Sequence, residues 1–519
     1  MTKKIGRIIL IVVMIMLVIG LALVTMSASP LYRTNQWVDT NAMFSMGRAL
    51  ASGMVPYRDI VEQRGPLMFG LFAIASFISK TSFIGVFVIE VINALIVYFF
   101  ASKIAAFYFD NKNVASVLGL LGPGVMVGTH AFELGGAPEE FAFPVIMGFI
   151  YLAFLWQRQN KQLRPWLYLI AGFGLFYVFW VKYAMIGALI IFFLYIGFGL
   201  LADRNWRGLF TAVGLSLLGF LVPSAVMLGV FYQHHALQSL IDVYFKMNMM
   251  AYGENQNGMI SQLVNSLGLF AEPINQHWLI TAITAVGLVL TKIGRQRSML
   301  FMMFFGTVAM LVLTHFVREY YVLLLMPFFV VALFQLFAWL INWQKELLRP
   351  VMLLVMIGIF VIPFYGNSYI KTATPRDAHQ PFLARHGQPT DQSVQERFAA
   401  DMHKKSKHPS ILMVNSLDSG FFLAADTHPV TRYFHLMNMT YDEFPEMYNS
   451  FSDTMTHRRV QYVVVFVPGN QPLAIDMRNA LNGVHPYNKA PLVKNYRLID
   501  TGYQLLAGKP KNWALFELK

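Results

Sequence analysis

Apolar runs at or near the length of a bilayer-spanning helix recur throughout this chain. The clearest are Ile5–Met26, Phe83–Phe107, Glu140–Trp156, Trp166–Val181, Ala184–Leu201, Leu209–Tyr232, Tyr321–Trp343 and Pro350–Pro363. Shorter runs occupy Val114–Val127, Trp278–Thr291 and Met299–Leu313. About 20 helical residues cross the hydrocarbon of a membrane, and lipid leaves backbone polar groups no partner outside the segment itself. The chain is therefore constrained to a polytopic α-helical membrane protein. Its 519 residues are 56% hydrophobic and only 13% charged, as that class requires. The first run is longer than a signal-peptide core and lacks a convincing small-residue cleavage site before Pro30, so it reads as a retained helix. The chain has no cysteine, which excludes disulfides and thiol chemistry and suits an outward-facing bacterial membrane protein.

The net charge of +13 is a record of topology rather than of nucleic-acid binding. With Lys3, Lys4 and Arg7 placed in the cytoplasm, the inner loops collect Lys103, Lys112, Arg158, Lys161, Arg164, Arg204, Arg207, Lys292, Arg295, Arg297, Lys345 and Arg349. This alternation holds only if Leu67–Ile78, about 12 residues, does not cross. The expectation is about 11 spans, a cytoplasmic N-terminus and an extracytoplasmic C-terminus. Asp39, Asp59, Glu62, Glu133, Glu139, Glu140, Asp242, Glu254, Glu272 and Glu319 then all fall outside. Acidic residues contribute little to topology, so this bias reads either as longer, wetter outer loops or as an outer cavity lined with carboxylates.

After Pro363 the composition changes. A polar, proline-containing stretch leads into an extracytoplasmic α/β domain, giving expected domains of 1–364 and 365–519. Ile411–Val414 and Tyr462–Val467 read as buried strands. Leu473–Leu481 reads as a helix. Tyr496–Ile499, Tyr503–Leu506 and Ala514–Leu518 read as a closing antiparallel set with a turn near Gly508–Asn512.

The first outer loop, WVDTNAMFSMGRALASGMVPYRDIVEQRGPLMFG from Trp37 to Gly70, is dense in charge beside lipid. Charges placed there are costly and tend to serve a site. Asn41–Ser52 reads as a short helix lying on the membrane, which would hold Asp39 at the lipid surface as a base for an acceptor hydroxyl. A helix N-cap or a surface salt bridge is the plainer role. Arg58 and Arg64 could grip a phosphate, or they and Asp59 and Glu62 could brace the loop. The second outer loop, GTHAFELGGAPEE, carries His130, Glu133, Glu139 and Glu140. Its spacing matches no specific metal motif, so His130, Glu133 and Glu139 are weak candidates for a divalent cation. Glu139 and Glu140 also suit a helix N-terminus. Lys182 could snorkel or bind a lipid-linked phosphate. His315, Arg318, Glu319, Tyr320 and Tyr321 form a further outer cluster. Glu90, inside an apolar helix with Asn93 close on the same face, reads as an interhelical hydrogen bond or part of a proton path.

Together these segments resemble the GT-C class of membrane glycosyltransferases, in particular the family 39-like bacterial relatives of protein O-mannosyltransferases and aminoarabinose transferases. The resemblance covers most of residues 1–365. It rests on an Asp soon after the first helix, the "PYRDI…RGPL" segment, the acidic second loop, "WVKYAMIGA" and "HFVREYYVLLLMP". Asp39 is followed by Thr40 where the family has Asp-Glu, and Arg64-Gly65-Pro66-Leu67 stands where His-Pro-Pro-Leu is usual.

The resemblance implies a polyprenyl-phosphate-linked sugar as donor and an envelope polymer or protein hydroxyl as acceptor. It implies Asp39 as general base in an inverting transfer. Arg58, Arg64, Lys182 and Arg318 would stabilise the leaving phosphate. Asp59, Glu62, Glu133, Glu139, Glu140, His315 and Tyr320 would lie on the acceptor side or support the site. A transporter or flippase of an envelope precursor, or a membrane scaffold, would also have many helices, but neither requires Asp39.

Overall fold

The computed structural model describes residues 2–32, 34–35, 37–249, 278–290, 294–313, 318–366, 382–383, 389–390, 392–469, 476–506 and 509–519, with isolated positions between 261 and 271. The chain divides into two compact units. The first comprises Met1–Met26, Ile89–Val230 and Tyr252–Ile370; the second comprises Ser27–Val88, Phe231–Ala251 and Lys371–Lys519.

The helices in chain order begin with α1 (Thr2–Thr25), α2 (Val38–Ala51), α3 (Pro66–Ile78), α4 (Ile84–Ala105), α5 (Lys112–Leu118), α6 (Leu121–Gly128), α7 (Pro138–Arg158), α8 (Pro165–Lys182), α9 (Gly187–Ala202) and α10 (Trp206–Gln233). Helices Trp278–Leu290, Gly294–Leu313, Met326–Trp343 and Leu348–Gly366 follow. Among the described residues, seven segments are long and apolar enough to cross a membrane. The shorter apolar helices are Pro66–Ile78, Lys112–Gly128, Gly187–Ala202, Trp278–Leu290 and Arg297–Leu313. These coincide with apolar runs of the sequence, Pro66–Ile78 with the short run Leu67–Ile78 expected not to cross. At 1.5 Å per residue, α3 is only about 20 Å long, short of a bilayer core.

Small residues set the helix crossings of the first unit, the usual solution where lipid supplies no hydrophobic drive between helices. A Cβ on Gly172 of α8 would lie 2.0 Å from the Ser216 carbonyl oxygen of α10. A Cβ on Gly187 of α9 would lie 2.3 Å from the Gly306 carbonyl oxygen, and one on Gly287 2.4 Å from Ala332 Cβ. Trp180 donates to Ser224 Oγ at 2.9 Å, joining α8 to α10.

The second unit holds a six-stranded sheet in the order β2-β1-β5-β6-β4-β3, with β1 Phe382–Leu383, β2 Pro389–Thr390, β3 Ile411–Val414, β4 Tyr462–Val467, β5 Tyr496–Leu506 and β6 Lys509–Leu518. β3 and β4 pair in parallel, Ile411 opposite Tyr462, and β3 is buried along its whole length. The strands expected at Ile411–Val414 and Tyr462–Val467 are both present. The closing set is two strands rather than three: β5 runs unbroken from Tyr496 to Leu506, and its register against β6 shifts between Leu498 and Asp500. That bulge interrupts the two-residue alternation, which is why one strand read as two. Of Leu473–Leu481, only Met477–Ala480 is helical among the described residues; 470–475, the 367–381 linker and 507–508 lie outside them. The serine-capped helix Val394–His403 closes a capping box through Ser393 and Glu396.

Candidate functional site

In the second unit, α2 starts at Val38 with Trp37 at its N-cap, so Asp39 lies in the first turn and is not itself the cap. Eleven consecutive residues of α2, Asp39–Ala49, are buried, so the helix is enclosed by protein and does not lie on the membrane as expected. Its polar residues Asn41, Ser45 and Arg48 recur at helical spacing on one face, and that face docks on the segment 418–427. Ser45 Oγ donates to Asp418 at 2.7 Å. A Cβ on Gly420, held at φ +95°, would sit 2.9 Å from Asn41 Oδ1. Arg48, with 3% of its side chain exposed, bonds the Phe422 and Thr427 carbonyls and Asp426.

Arg64 gathers the carboxylates of the first loop. Its guanidinium meets Asp39 Oδ2 at 2.6 Å and also pairs with Glu62. Glu62 has no solvent exposure, and the Arg64 and Asp39 side chains are only 10% and 12% exposed. A cation this buried is held because carboxylates compensate its charge. The chain between them is a tight turn. Tyr57 takes φ +70°, is fully enclosed and donates its hydroxyl to the Arg64 carbonyl at 2.6 Å. Burial, Tyr244 and Glu62 hold its phenol well above the usual range. A strained residue so enclosed is characteristic of functional segments. Arg432 spans the turn: its carbonyl accepts from Val61 N–H at 2.8 Å, and its Nε donates to the Tyr57 carbonyl at 3.3 Å. His435 lies where it feels the Arg64 charge. Arg58 is 41% exposed, pairs with both oxygens of Asp59 and donates to the His234 carbonyl at 2.6 Å. Its hydrogen bonds hold the Asp59 carboxyl below the usual range.

In the first unit, Lys182 at the end of α8 meets Glu139 Oε1 at 2.6 Å and lies 4.0 Å from the Tyr321 ring centroid and 5.6 Å from that of Tyr320. It is engaged by protein, so headgroup snorkelling is not its arrangement here. Glu139 and Glu140, expected to face an acceptor, are both fully buried. Glu139 turns to Lys182, and Glu140 accepts from Gly136 N–H at 2.7 Å. Arg318 is exposed, Tyr320 half-buried and Glu133 half-buried at φ +51°. His315 lies outside the described residues. Among the described residues no three His, Asp or Glu side chains are grouped to hold a metal ion. Of the weak candidates His130, Glu133 and Glu139, Glu139 is engaged by Lys182.

The sequence reading missed Tyr57, Arg432, His435 and Asp418. Asp418, Arg432 and His435 are distant in sequence from the loop they support. For Tyr57 the only local signal was the turn-rich sequence around it.

The spanning helices and the C-terminal sheet make this a polytopic membrane protein with a C-terminal domain, and its fold is GT-C-like. The particular likeness is to ArnT from Cupriavidus metallidurans, an aminoarabinose transferase. Its structure bound to undecaprenyl phosphate matches with a TM-score of 0.55 at 11% identity, covering 98% of each chain. Its apo structure matches with a TM-score of 0.55 at 11% identity, covering 99% of this chain and 98% of the other. The likeness is one of fold. No protein-family model matches the chain, and no curated protein does.

Proposed function

We propose that this chain is an integral glycosyltransferase of the bacterial cell membrane. It moves a sugar from a polyprenyl-phosphate-linked donor to an acceptor hydroxyl of an envelope polymer or protein on the outer face. The observation that carries the reading is the enclosed Asp39–Arg64–Glu62 cluster in a fold like that of a transferase solved with undecaprenyl phosphate. In the proposed step, Asp39 takes the acceptor proton as the acceptor oxygen bonds the anomeric carbon. The bond from that carbon to the phosphate oxygen breaks, and the lipid phosphate leaves with the electron pair. A single displacement inverts the centre.

Arg64 has two roles in this scheme. Paired with Asp39 it holds the carboxylate in place; drawn toward an arriving phosphate it releases Asp39 to act as base. Arg58, Lys182 and Arg318 supply further positive charge for the leaving group. Asp59, Glu133, His315 and Tyr320 are proposed for the acceptor side, with Glu62, Glu139 and Glu140 holding the cations and loop in place. The orientation with residues 365–519 outside the cell belongs to the same proposal.

The test is sugar release from polyprenyl-phosphate donors by the purified full chain. Asp39→Asn is expected to lower release by at least about 100-fold, the scale of general-base catalysis, while its melting profile stays intact. Undiminished turnover in that variant would remove Asp39 as the base. No release by wild type from any donor, with envelope extract as acceptor, would favour a flippase or scaffold.

A further inference from the structure

The proposed transfer gives no task to Glu90, a buried acid of the first unit. Glu90 of α4 and Glu140 of α7 have no solvent exposure, and their carboxyl groups come together at one turn. The Cβ position of Gly135 lies 2.6 Å from Glu90 Oε1, and Gly136 N–H donates to Glu140 Oε2 at 2.7 Å. Glu90 Oε1 and Oε2 and Glu140 Oε1 receive no hydrogen bond from the described residues. Two carboxylates are acceptors only, so any hydrogen bond between them needs a proton on one.

The surroundings supply no compensating cation. Among the described residues, neither carboxyl pairs with a Lys, Arg or His; Lys182 of α8 is engaged by Glu139. Tyr177 of α8 also senses the Glu140 carboxyl. Asn93 donates to the Glu140 backbone carbonyl at 3.0 Å, not to its carboxyl. Two uncompensated charges side by side in such a place would cost more than their hydrogen bonds return. The proton can also be assigned. Glu140 Oε2 accepts the Gly136 N–H at 2.7 Å, which favours its ionised form. Neither oxygen of Glu90 has a donor of that kind.

We propose that Glu90 and Glu140 share one proton, held on Glu90 and donated to the Glu140 carboxylate, and that this pair fastens the second outer loop to the helices beneath it. The loop rests directly on the pair. Gly135 sits at φ +85° with its Cβ position 2.6 Å from Glu90 Oε1, so only glycine fits there. Its neighbour Gly136 supplies the hydrogen bond to Glu140, and Glu139, one residue before Glu140, holds Lys182. On the transferase reading above, Glu90 and Glu140 are positioning residues for Glu139 and Lys182 and do not touch the donor.

Infrared spectroscopy of the full chain in detergent at neutral pH tests the proton. A protonated-carboxyl band should be present in wild type and missing from Glu90→Gln, so that their difference isolates Glu90 from other buried carboxyls. In Glu140→Gln the band should persist but shift, because Glu90 keeps its proton and changes acceptor. Hydrogen exchange at the Gly136 amide tests the fastening. It should quicken about tenfold in Glu140→Ala, the effect of one lost hydrogen bond, and stay near wild type in Glu90→Gln, whose amide replaces the proton donor. The inference is overturned if no neutral-pH band disappears in Glu90→Gln. It is equally overturned if elemental analysis finds a bound cation that the same variant loses. Neither readout depends on turnover, so failure of sugar release and failure of this inference are separate results.

Discussion

His435 shows how burial sets the chemistry of one side chain. It is 1% exposed, and Asp418 N–H donates to its Nδ1 at 3.4 Å, which places the ring hydrogen on Nε2. Burial and the Arg64 charge push its pKa down to about 3. An unfolded histidine titrates near 6.5, so between about pH 6.5 and 3 the unfolded chain takes up a proton that the folded chain refuses. The stability this group contributes is fully present above the unfolded value. It falls by about 1.4 kcal/mol per pH unit as the pH drops through that window. Burial raises the Asp418 carboxyl, which acts in the opposite sense at the acid end. Melting profiles of wild type and His435→Asn from pH 7 to pH 4 should therefore diverge, with the variant losing less stability on acidification. Parallel profiles would mean that His435 is protonated in the fold.

At the scale of elements, α2 and α3 cross closely at Gly47. A Cβ on Gly47 would lie 2.4 Å from the Phe72 carbonyl carbon and 2.6 Å from Phe72 Cβ. Backbone cannot yield as a flexible side chain can. Gly47→Val should therefore force the helices apart, at a cost of about 1–3 kcal/mol or more, read as a lowered melting temperature. Since Asp39 and Arg64 sit on and beside these helices, the same variant should lose sugar release disproportionately. Normal melting in Gly47→Val would show that the crossing is looser than its geometry indicates. The apolar runs were legible because lipid demands long uninterrupted segments. The α2 helix was legible as a helix, but its surroundings were not: Arg48 among apolar residues fits a membrane surface as well as the protein groove that holds it.

At the scale of the whole molecule, the second unit joins Ser27–Val88 and Phe231–Ala251 to Lys371–Lys519. Deleting 393–519 should leave Ser45 and Arg48 without Asp418, Phe422, Asp426 and Thr427, and so destabilise the loop carrying Asp39. The proposed topology places that unit outside, and a reporter fused after Lys519 should be active only outside the cell. A cytoplasmic signal would overturn the assigned orientation.

Hydrophobic run length alone determined that this is a polytopic helical membrane protein with a C-terminal domain, since the cost of placing polar backbone or side chains in lipid is large and local. The two buried strands were likewise readable as short β-branched runs. Only the tertiary structure decided which charges meet: that Arg64 takes both Asp39 and Glu62, that Lys182 takes Glu139, that Glu90 finds Glu140, and that residues 418–435 support the first loop. Apart from Arg64 and Glu62, two positions apart, these meetings join residues tens to hundreds of positions apart, and spacing along a chain carries no record of such distances.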